Sequence, residues 1–371
     1  MEILLISAGP LSKGTMASKV PLFFPARPYL MKKVTSDFLV KADLVVIELA
    51  GADGDSLNVL KAALAEVPEQ RVLCLISKFS RREIVQAKVL GNVRLFDRDG
   101  DWEVLVREIR GLLSDKTKVE FGDDTPAELQ ASFKSAASAM DQMSQAAISG
   151  APLPVKAMEK TAGAICDTLS KYGLAKWLDT VQLHHSHTYS HSMMVAGVAS
   201  AFASGLGWTS KECEQITVAG LVHDIGKTKI PLAILDKPGR LTDEEMAIIR
   251  KHPVFSRKLL ENRTEISAAI KEMAAHHHEF LDGSGYPDGL SGDQISPIVR
   301  LMTISDIYSA LTEKRSYKEA FTPRAAYAEL VAMGGKLDQK FVRSFRSIVV
   351  NSGFCTVNRT ADTGKVKVAA G

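Results

Sequence analysis

The chain has 371 residues, of which 46% are hydrophobic and 24% charged, and its formal net charge is only +3 at pH 7. This length allows roughly two or three domains, whereas so small a charge gives no reason to expect nucleic acid or a membrane surface as a partner. No apolar run reaches the roughly eighteen residues of a membrane span, and four widely spaced cysteines favour a reducing compartment. We therefore expect a cytoplasmic globular protein that binds neither nucleic acid nor membranes.

Residues 1–115 alternate short apolar runs with helix-like stretches. Candidate buried strands are residues 3–7, 44–49 and 72–77, with a weaker one at 93–96. Such runs, separated by helical segments, predict a parallel sheet with crossover helices. The order resembles the receiver domain of two-component signalling, which has a flavodoxin-like α/β fold.

This segment departs from the receiver pattern at the positions that carry receiver chemistry. In that family a strand-end Asp accepts phosphate, assisted by an acidic pair after the first strand and a Lys after the last. Here Glu48 takes the acceptor position, Ser7-Ala8-Gly9 replaces the acidic pair, and Asp97-Arg98 follows the last strand. We therefore predict a degenerate receiver-like domain that serves interaction or dimerisation. The alternative is a generic small α/β domain.

Residues 116–154 are predicted to form a linker and one connecting helix. Thr125-Pro126-Ala127-Glu128 has the pattern of a capping box with proline in the first turn. Apolar residues then recur at alternating spacings of four and three, as in a short heptad seam: Leu129, Phe133, Ala136, Met140, Met143 and Ala147. Two interpretations stay open, a coiled coil in a homodimer and an amphipathic helix packed on its own domain.

Helical patterns continue, with breaks, over residues 155–350, and this part contains every histidine of the chain. The nine histidines fall in a window of about a hundred residues. On a helix, His187 and His191 would lie on one face, one turn apart. His223-Asp224 ends an apolar run, and Asp306 lies in an apolar helix where a carboxylate needs a partner or a metal. Imidazole and carboxylate both bind divalent metals, so the cluster predicts a metal site.

Several motifs in this region resemble the HD superfamily of metal-dependent phosphohydrolases, and within it the HD-GYP cyclic di-GMP phosphodiesterases. The matching stretches are His223-Asp224-Ile225-Gly226-Lys227, residues 234–239, His252-Pro253, residues 277–287 and Arg315-Ser316-Tyr317-Lys318. The resemblance covers about residues 180–348 and implies an all-α HD-domain helical bundle. The remaining residues, 351–371, are polar and rich in small side chains, and we expect them to be disordered.

Carried over residue by residue, the resemblance implies a set of metal ligands: His191, His223, Asp224, His252, His277, His278 and Asp306. Asp224 and Lys227 would serve catalysis, with Lys227 also near the scissile phosphate. The loop Gly285-Tyr286-Pro287 would shape the substrate site. Arg315 and Lys318 would contact phosphates or guanines. We expect His184, His185 and His276, which match no ligand position, to face outward or to support the ligands.

Departures from the family pattern bear on the number of metal ions. His187 stands where members with three metals carry Glu, and a neutral imidazole cannot bridge two ions as a carboxylate does. We therefore expect two divalent ions, and the third ion and the ligand role of His187 stay open. The resemblance favours Fe or Mn, with Zn as the alternative. Ser309 and Ser316 replace an Asp and a Pro of the family motif, which affects ligand support and phosphate recognition.

The resemblance implies that the chain hydrolyses cyclic di-GMP to pGpG, and GMP as a further product stays open. Two metals about 3.5–4 Å apart would activate a hydroxide for attack on phosphorus. The N-terminal domain would supply a homodimer contact or a signalling partner. Two alternatives remain: an HD hydrolase of another phosphoester or cyclic nucleotide, and a non-catalytic sensor or scaffold that binds cyclic di-GMP.

Overall fold

The computed structural model describes residues 3–12, 14–114, 121–122, 124–183, 187–235, 237, 239–314 and 320–351. An α/β domain occupies the N-terminal part and is followed by a domain built from helices. The segment for which the sequence predicts disorder, residues 351–371, lies outside the described residues from position 352 onward.

The N-terminal domain is built on a parallel sheet with the strand order β2-β1-β3-β4-β5. Every residue of the central strands β1, β3 and β4 is buried, because helices cover both faces of the sheet. The prediction of a parallel α/β domain is therefore confirmed. The strands are β1 (Ile3–Ser7), β2 (Ala26–Leu30), β3 (Leu44–Glu48), β4 (Val72–Ile76) and β5 (Arg94–Asp97).

Helices connect successive strands, and alternate side chains of each strand enter two separate cores. Three of these helices begin at side-chain caps, where Thr15, Asp53 and Ser80 accept hydrogen bonds from backbone N–H groups three residues later. The helices are α1 (Met16–Phe23), α2 (Ser36–Lys41), α3 (Gly54–Ala65), α4 (Arg81–Val89) and α5 (Trp102–Ser114).

Glu48 lies buried at the carboxyl end of β3, at the position of the phosphate acceptor in receiver domains. Its carboxylate pairs with Arg98, which follows β5 and also pairs with Glu83 on α4. Burial raises the pKa of Glu48, although the N–H of Ala50 and the charge of Arg98 oppose the shift. The acceptor position of this receiver-like domain therefore holds a carboxylate that is already engaged in an ion pair.

Helices build the rest of the described chain, and one large core runs through them. A kink at Gly173, where φ is +78°, divides α7 into two segments. The helices are α6 (Ala127–Ser149), α7 (Val155–Gln182), α8 (His187–Gly205), α9 (Ser210–Val222), α10 (Leu232–Leu235), α11 (Asp243–Ile249), α12 (His252–Leu260), α13 (Ala268–His276), α14 (Pro297–Thr312), α15 (Pro323–Ala332) and α16 (Gln339–Asn351).

Helix α6 belongs to this core, since it packs along α7 and all six residues of the predicted heptad seam are buried there. The structure therefore supports the amphipathic helix packed on its own chain, and the seam is not available for a coiled coil. The predicted capping box does not form, because Pro126 is the N-cap residue and the Glu128 carboxylate binds Lys171 and Tyr172 on α7. None of the helices in the described ranges is both long enough and apolar enough to cross a membrane.

Candidate metal centre

The candidate ligands come from five segments of the helical domain and meet at one place. His191 lies in the second turn of α8, and His223 and Asp224 follow the end of α9. His252 opens α12, His277 and His278 follow α13, and Asp306 lies in the middle of α14. Most of these side chains are almost fully removed from solvent: His191, His223, His252, His277 and Asp306.

Asp224 stands at the middle of the cluster, with imidazoles on both sides of its carboxylate. Its Oδ1 lies 3.1 Å from Nε2 of His252 and 3.8 Å from Nε2 of His277. Its Oδ2 lies 3.2 Å from Nε2 of His223 and 4.0 Å from Nε2 of His191. One carboxylate thus faces two groups of nitrogen donors, which is the arrangement that lets a carboxylate bridge two ions.

Asp306 supplies a second carboxylate on the side of His191. Its Oδ1 lies 2.9 Å from Nε2 of His191 and 3.9 Å from Nε2 of His223. Its Oδ2 is 3.7 Å from Nδ1 of His278. Donor atoms within 4.8 Å of one another form three overlapping sets in the described residues: His252, His277 and His278; His191, His223 and Asp306; His223, Asp224 and His277.

Backbone carbonyls fix the tautomer of three candidate ligands. Nδ1 of His223 donates to Gly220 at 2.7 Å, Nδ1 of His252 to Ile249 at 2.8 Å, and Nδ1 of His277 to Met273 at 3.1 Å. With the proton on Nδ1, the lone pair of each Nε2 points into the cluster, which is the usual arrangement of metal-binding histidines.

The buried donor atoms and their charge states both fit metal ions. Nε2 of His223 and Oδ1 of Asp224 are buried without a hydrogen-bond partner in the described part of the chain. Burial lowers the pKa of His278 to about 4 and that of His277 well below its ordinary value, so both rings are neutral. Burial opposes ionisation of Asp224, but the charge of Lys227 and the adjacent imidazoles hold its pKa well below the ordinary range.

His191 has a different electrostatic environment from the other imidazoles. Burial disfavours its charged form, but the nearby Asp306 and Glu313 carboxylates raise the pKa of His191 to about 9. The same contact holds the pKa of Asp306 far below its ordinary value, although burial opposes this. The carboxylates around His191 therefore stabilise positive charge at this place, which in the metal-free chain is a proton on the ring.

Position 226, two residues after the His-Asp pair, has no space for a side chain. A Cβ at this position would lie 2.0 Å from the carbonyl oxygen of His252 and 2.6 Å from the backbone nitrogen of Ser256. The N–H of Gly226 donates to Oγ of Ser256 at 2.9 Å. This close contact brings the start of α12 against the turn that carries Lys227, whose Nζ lies 2.5 Å from Oδ2 of Asp224.

The loop Gly285-Tyr286-Pro287 lies against the same centre. The Tyr286 ring stacks on His278, with centroids 4.7 Å apart and planes at 25°. A Cβ on Gly285 would approach backbone atoms of residues 278–280 to within 2.6 Å, so only glycine lets the loop pass this close. The structure thus places the predicted loop beside the candidate ligand His278, and the Tyr286–Pro287 peptide bond is cis.

Buried Glu279 ties the loop down, a role that sequence reasoning missed. Its carboxylate accepts three backbone N–H groups, from Asp288 at 2.7 Å and from Gly289 and Leu290 at 3.1 Å. His276, which matches no ligand position, binds Asp288 at 3.0 Å and thus supports the loop instead of facing the metal donors.

Two further residues near the ligands were also missed. The guanidinium of Arg250 lies over the Tyr286 ring, 5.5 Å from its centroid, and Oε2 of buried Glu313 lies 3.5 Å from Nδ1 of His191. Periodicity cannot find such residues because their contacts depend on how separate helices pack. Several sequence-predicted positions lie outside the described residues: His184, His185, Arg315, Ser316, Lys318 and the side chain of His187.

Part of the helical region is similar in sequence to known proteins. Residues 177–341 match the family described as HD domain. A cyclic di-GMP phosphodiesterase of Pseudomonas aeruginosa is 37% identical over 159 residues, 43% of this chain and 38% of that protein. The cyclic di-GMP phosphodiesterase response regulator RpfG of Xanthomonas campestris is 38% identical over 175 residues, which is 46% of this chain and 44% of that protein.

A third relative is named for a different cyclic dinucleotide. The 3'3'-cGAMP-specific phosphodiesterase 2 of Vibrio cholerae is 38% identical over 166 residues, which is 44% of this chain and 31% of that protein. The chain spans less than half the length of each of these three relatives. Residues 177–341, within the helical part of the chain, are therefore similar to HD domains, and the relatives that match this region include two proteins named as cyclic di-GMP phosphodiesterases.

Proposed function

We propose that the chain is a metal-dependent phosphodiesterase that hydrolyses cyclic di-GMP to pGpG. The observation that carries this proposal is the convergence of imidazoles and a second carboxylate on both sides of Asp224. Cyclic di-GMP is the substrate in the names of two of the relatives reported above, which supports the choice among phosphodiesters.

Two divalent ions, Fe or Mn, would be held at this centre, with a third ion left open. One ion would take donors from the side of His252, His277 and His278, and the other from the side of His191, His223 and Asp306. Asp224 would join the two. Such ions supply a water of lowered pKa and withdraw charge from the phosphodiester oxygens.

Lys227 and Tyr286 act on the substrate in this proposal. The ammonium of Lys227 is partly exposed beside Asp224, so it offers positive charge to a phosphodiester that reaches the ligands. Tyr286, whose ring contacts His278 and Arg250 at the edge of the centre, would shape the substrate site there. We also propose Arg315 and Lys318 as contacts to phosphates or guanines, and Gly285 and Pro287 as the residues that shape the loop.

The second candidate substrate is 3',3'-cGAMP, which the relative from Vibrio cholerae favours. The two dinucleotides share the same phosphodiester chemistry and differ in one base, so the ligands around Asp224 serve either. Residues that contact the bases would determine which of the two dinucleotides is preferred. A sensor that binds cyclic di-GMP without turnover is the non-catalytic alternative.

The test joins metal analysis and turnover on one anaerobic preparation of the full chain. Metal per chain is quantified, and cyclic di-GMP and 3',3'-cGAMP are assayed separately with the products resolved by chromatography. Two or more Fe or Mn ions with pGpG formed from cyclic di-GMP would support the proposal. Faster cleavage of 3',3'-cGAMP would show that this dinucleotide is the substrate instead of cyclic di-GMP. A metal-loaded chain that binds both dinucleotides without cleaving either would show that the protein is a sensor.

A further inference from the structure

His191 differs from His223, His252 and His277 in how its second ring nitrogen is placed. His223, His252 and His277 lie at helix ends, where Nδ1 donates to a carbonyl of the adjoining turn. His191 lies inside α8, where the carbonyls of the preceding turn already accept helical N–H groups. Its Nδ1 is buried, and no hydrogen bond to it is formed within the described ranges.

The group that faces this nitrogen is the carboxylate of Glu313. Its Oε2 lies 3.5 Å from Nδ1 of His191, longer than a formed hydrogen bond but with no room for an intervening group. Glu313 is 5% exposed and is the C-cap of α14, the helix that carries Asp306 seven residues earlier. Two helical turns separate these positions, so α14 delivers one carboxylate to each nitrogen of the same imidazole.

A buried carboxylate at this place is costly for the fold. The C-terminal end of a helix carries partial negative charge, which disfavours an anion there. Burial adds a desolvation penalty that an ionised group recovers only through its partners. The N–H of Glu313 donates to the carbonyl of Ser309 at 2.9 Å, which fixes the backbone that presents the side chain. The ring of His191 is one such partner for the Glu313 carboxylate.

We propose that Glu313 is the positioning residue for His191. Its carboxylate accepts the Nδ1–H of the ring, so that the lone pair of Nε2 stays directed at a divalent ion beside Asp306. A carboxylate in this place also raises the basicity of the ligand. The inference rests on the proposed metal centre and assigns to Glu313 the part that backbone carbonyls play for His223, His252 and His277.

The test measures metal affinity of the full chain without using turnover. Glu313→Ala, Glu313→Gln and the control Glu329→Ala, an exposed glutamate of α15, are stripped of metal and titrated with Mn²⁺ under anaerobic conditions. We expect Glu313→Ala to weaken Mn²⁺ binding by about 10–100-fold, the usual loss for a residue that orients a ligand. Glu313→Gln, whose amide oxygen still accepts a hydrogen bond, should fall in between, and the control should match the wild type.

Two outcomes would overturn the assignment. Fewer ions bound at saturation in both Glu313 variants would make the carboxylate a ligand itself, and an affinity within about two-fold of the wild type would leave it no role. Melting temperatures measured before metal addition check folding, and if the Ala variant does not fold, the Gln variant provides the comparison. A wild-type chain that binds Mn²⁺ but does not cleave cyclic di-GMP would refute the proposed function and leave this assignment standing.

Discussion

Asp224 lies between the two sides of the centre. Each of its oxygens faces two imidazoles, and Oδ2 also contacts the ammonium of Lys227. Removing the carboxylate takes a shared donor from both sides of the cluster. It also leaves the buried Nε2 atoms without the negative charge that would balance bound cations.

We expect Asp224→Ala to lower both metal content and turnover by more than about a hundredfold. Even a residue that only supports a metal ligand costs 10–100-fold when it is lost. Metal content and initial rates of cyclic di-GMP hydrolysis measure the effect, and circular dichroism checks the fold. Replacing the exposed Asp293, whose carboxylate lies at the surface 3.5 Å from Arg300, is the control. A variant with wild-type metal content would contradict the bridging position.

The candidate ligands could be picked out from the sequence because their residue types are rare and their order resembles a known motif, and the structure brings them together. Glu313 and Arg250 were not predictable in this way. A glutamate at a helix end and an arginine near a proline have ordinary surface roles in most sequences. They matter here because Glu313 approaches His191 and Arg250 approaches Tyr286. Both contacts depend on how α14 and α11 are placed.

At the scale of elements, the loop after α13 depends on a close backbone approach at Gly285. A Cβ there would lie 2.4 Å from the backbone nitrogen of Phe280, and backbone atoms cannot give way as a flexible side chain does. We expect Gly285→Ala to displace Tyr286 from His278 and to raise the KM for the dinucleotide. The same strain should lower the free energy of unfolding by about 1–3 kcal/mol.

The control for this substitution is Gly335→Ala, where a Cβ would meet no atom within 4 Å and the backbone is not left-handed. Steady-state kinetics and urea unfolding of both variants give the comparison. Equal KM values for Gly285→Ala and the wild type would show that the loop tolerates the added methyl group without moving Tyr286.

Asp338 joins helix α16 to α14, the helix that carries Asp306. Oδ2 of Asp338 accepts from Arg300 at 3.0 Å, and its Oδ1 accepts the N–H groups of Lys340 and Phe341 in the first turn of α16. Burial opposes the ionised form, but the hydrogen bond from Arg300 and those from the backbone keep the pKa of Asp338 below its ordinary value.

This shift predicts a pH-dependent contribution to stability. A carboxyl whose pKa is lower in the folded state stabilises the fold above the unfolded pKa of about 4, and the contribution is lost as the pH falls through the folded pKa. We expect Asp338→Asn to lower the free energy of unfolding by about 1 kcal/mol at pH 7. The difference from the wild type should shrink in urea unfolding as the pH is lowered below about 4. If the difference in unfolding free energy between the variant and the wild type did not change with pH, the loss of stability would come from packing and not from the charge of Asp338.

At the scale of the whole molecule, sequence patterns predicted the two architectures and most strands, because continuous apolar runs report burial on both faces of a sheet. Strand β2 was missed, since it lies at the sheet edge, contains Pro28 and has mostly exposed or half-buried residues. The assignment of α6 stayed open for another reason: a heptad pattern reports an apolar face but not what covers it. The structure shows that α7 covers this face.

The packing of α6 predicts where the chain can be divided. A protein starting at residue 121 keeps α6 on the helical core and loses only the receiver-like domain, whereas one starting at residue 151 exposes the surface that α6 covers. Each large apolar side chain that leaves the core costs about 1.5–3 kcal/mol, and α6 contributes Leu129, Phe133, Met140 and Met143. We therefore expect the longer fragment to unfold cooperatively near the temperature of the full chain's helical domain.

The shorter fragment should melt at least about 10 °C lower or aggregate, since 1 kcal/mol shifts the melting temperature by about 2–4 °C in a domain of this size. Calorimetry and size-exclusion chromatography of the two fragments measure this difference, and turnover of the longer one then reports what the N-terminal domain does to the rate. Equal melting temperatures would mean that α6 is only a connector. In that case a dimer or signalling contact along its apolar face would again be open.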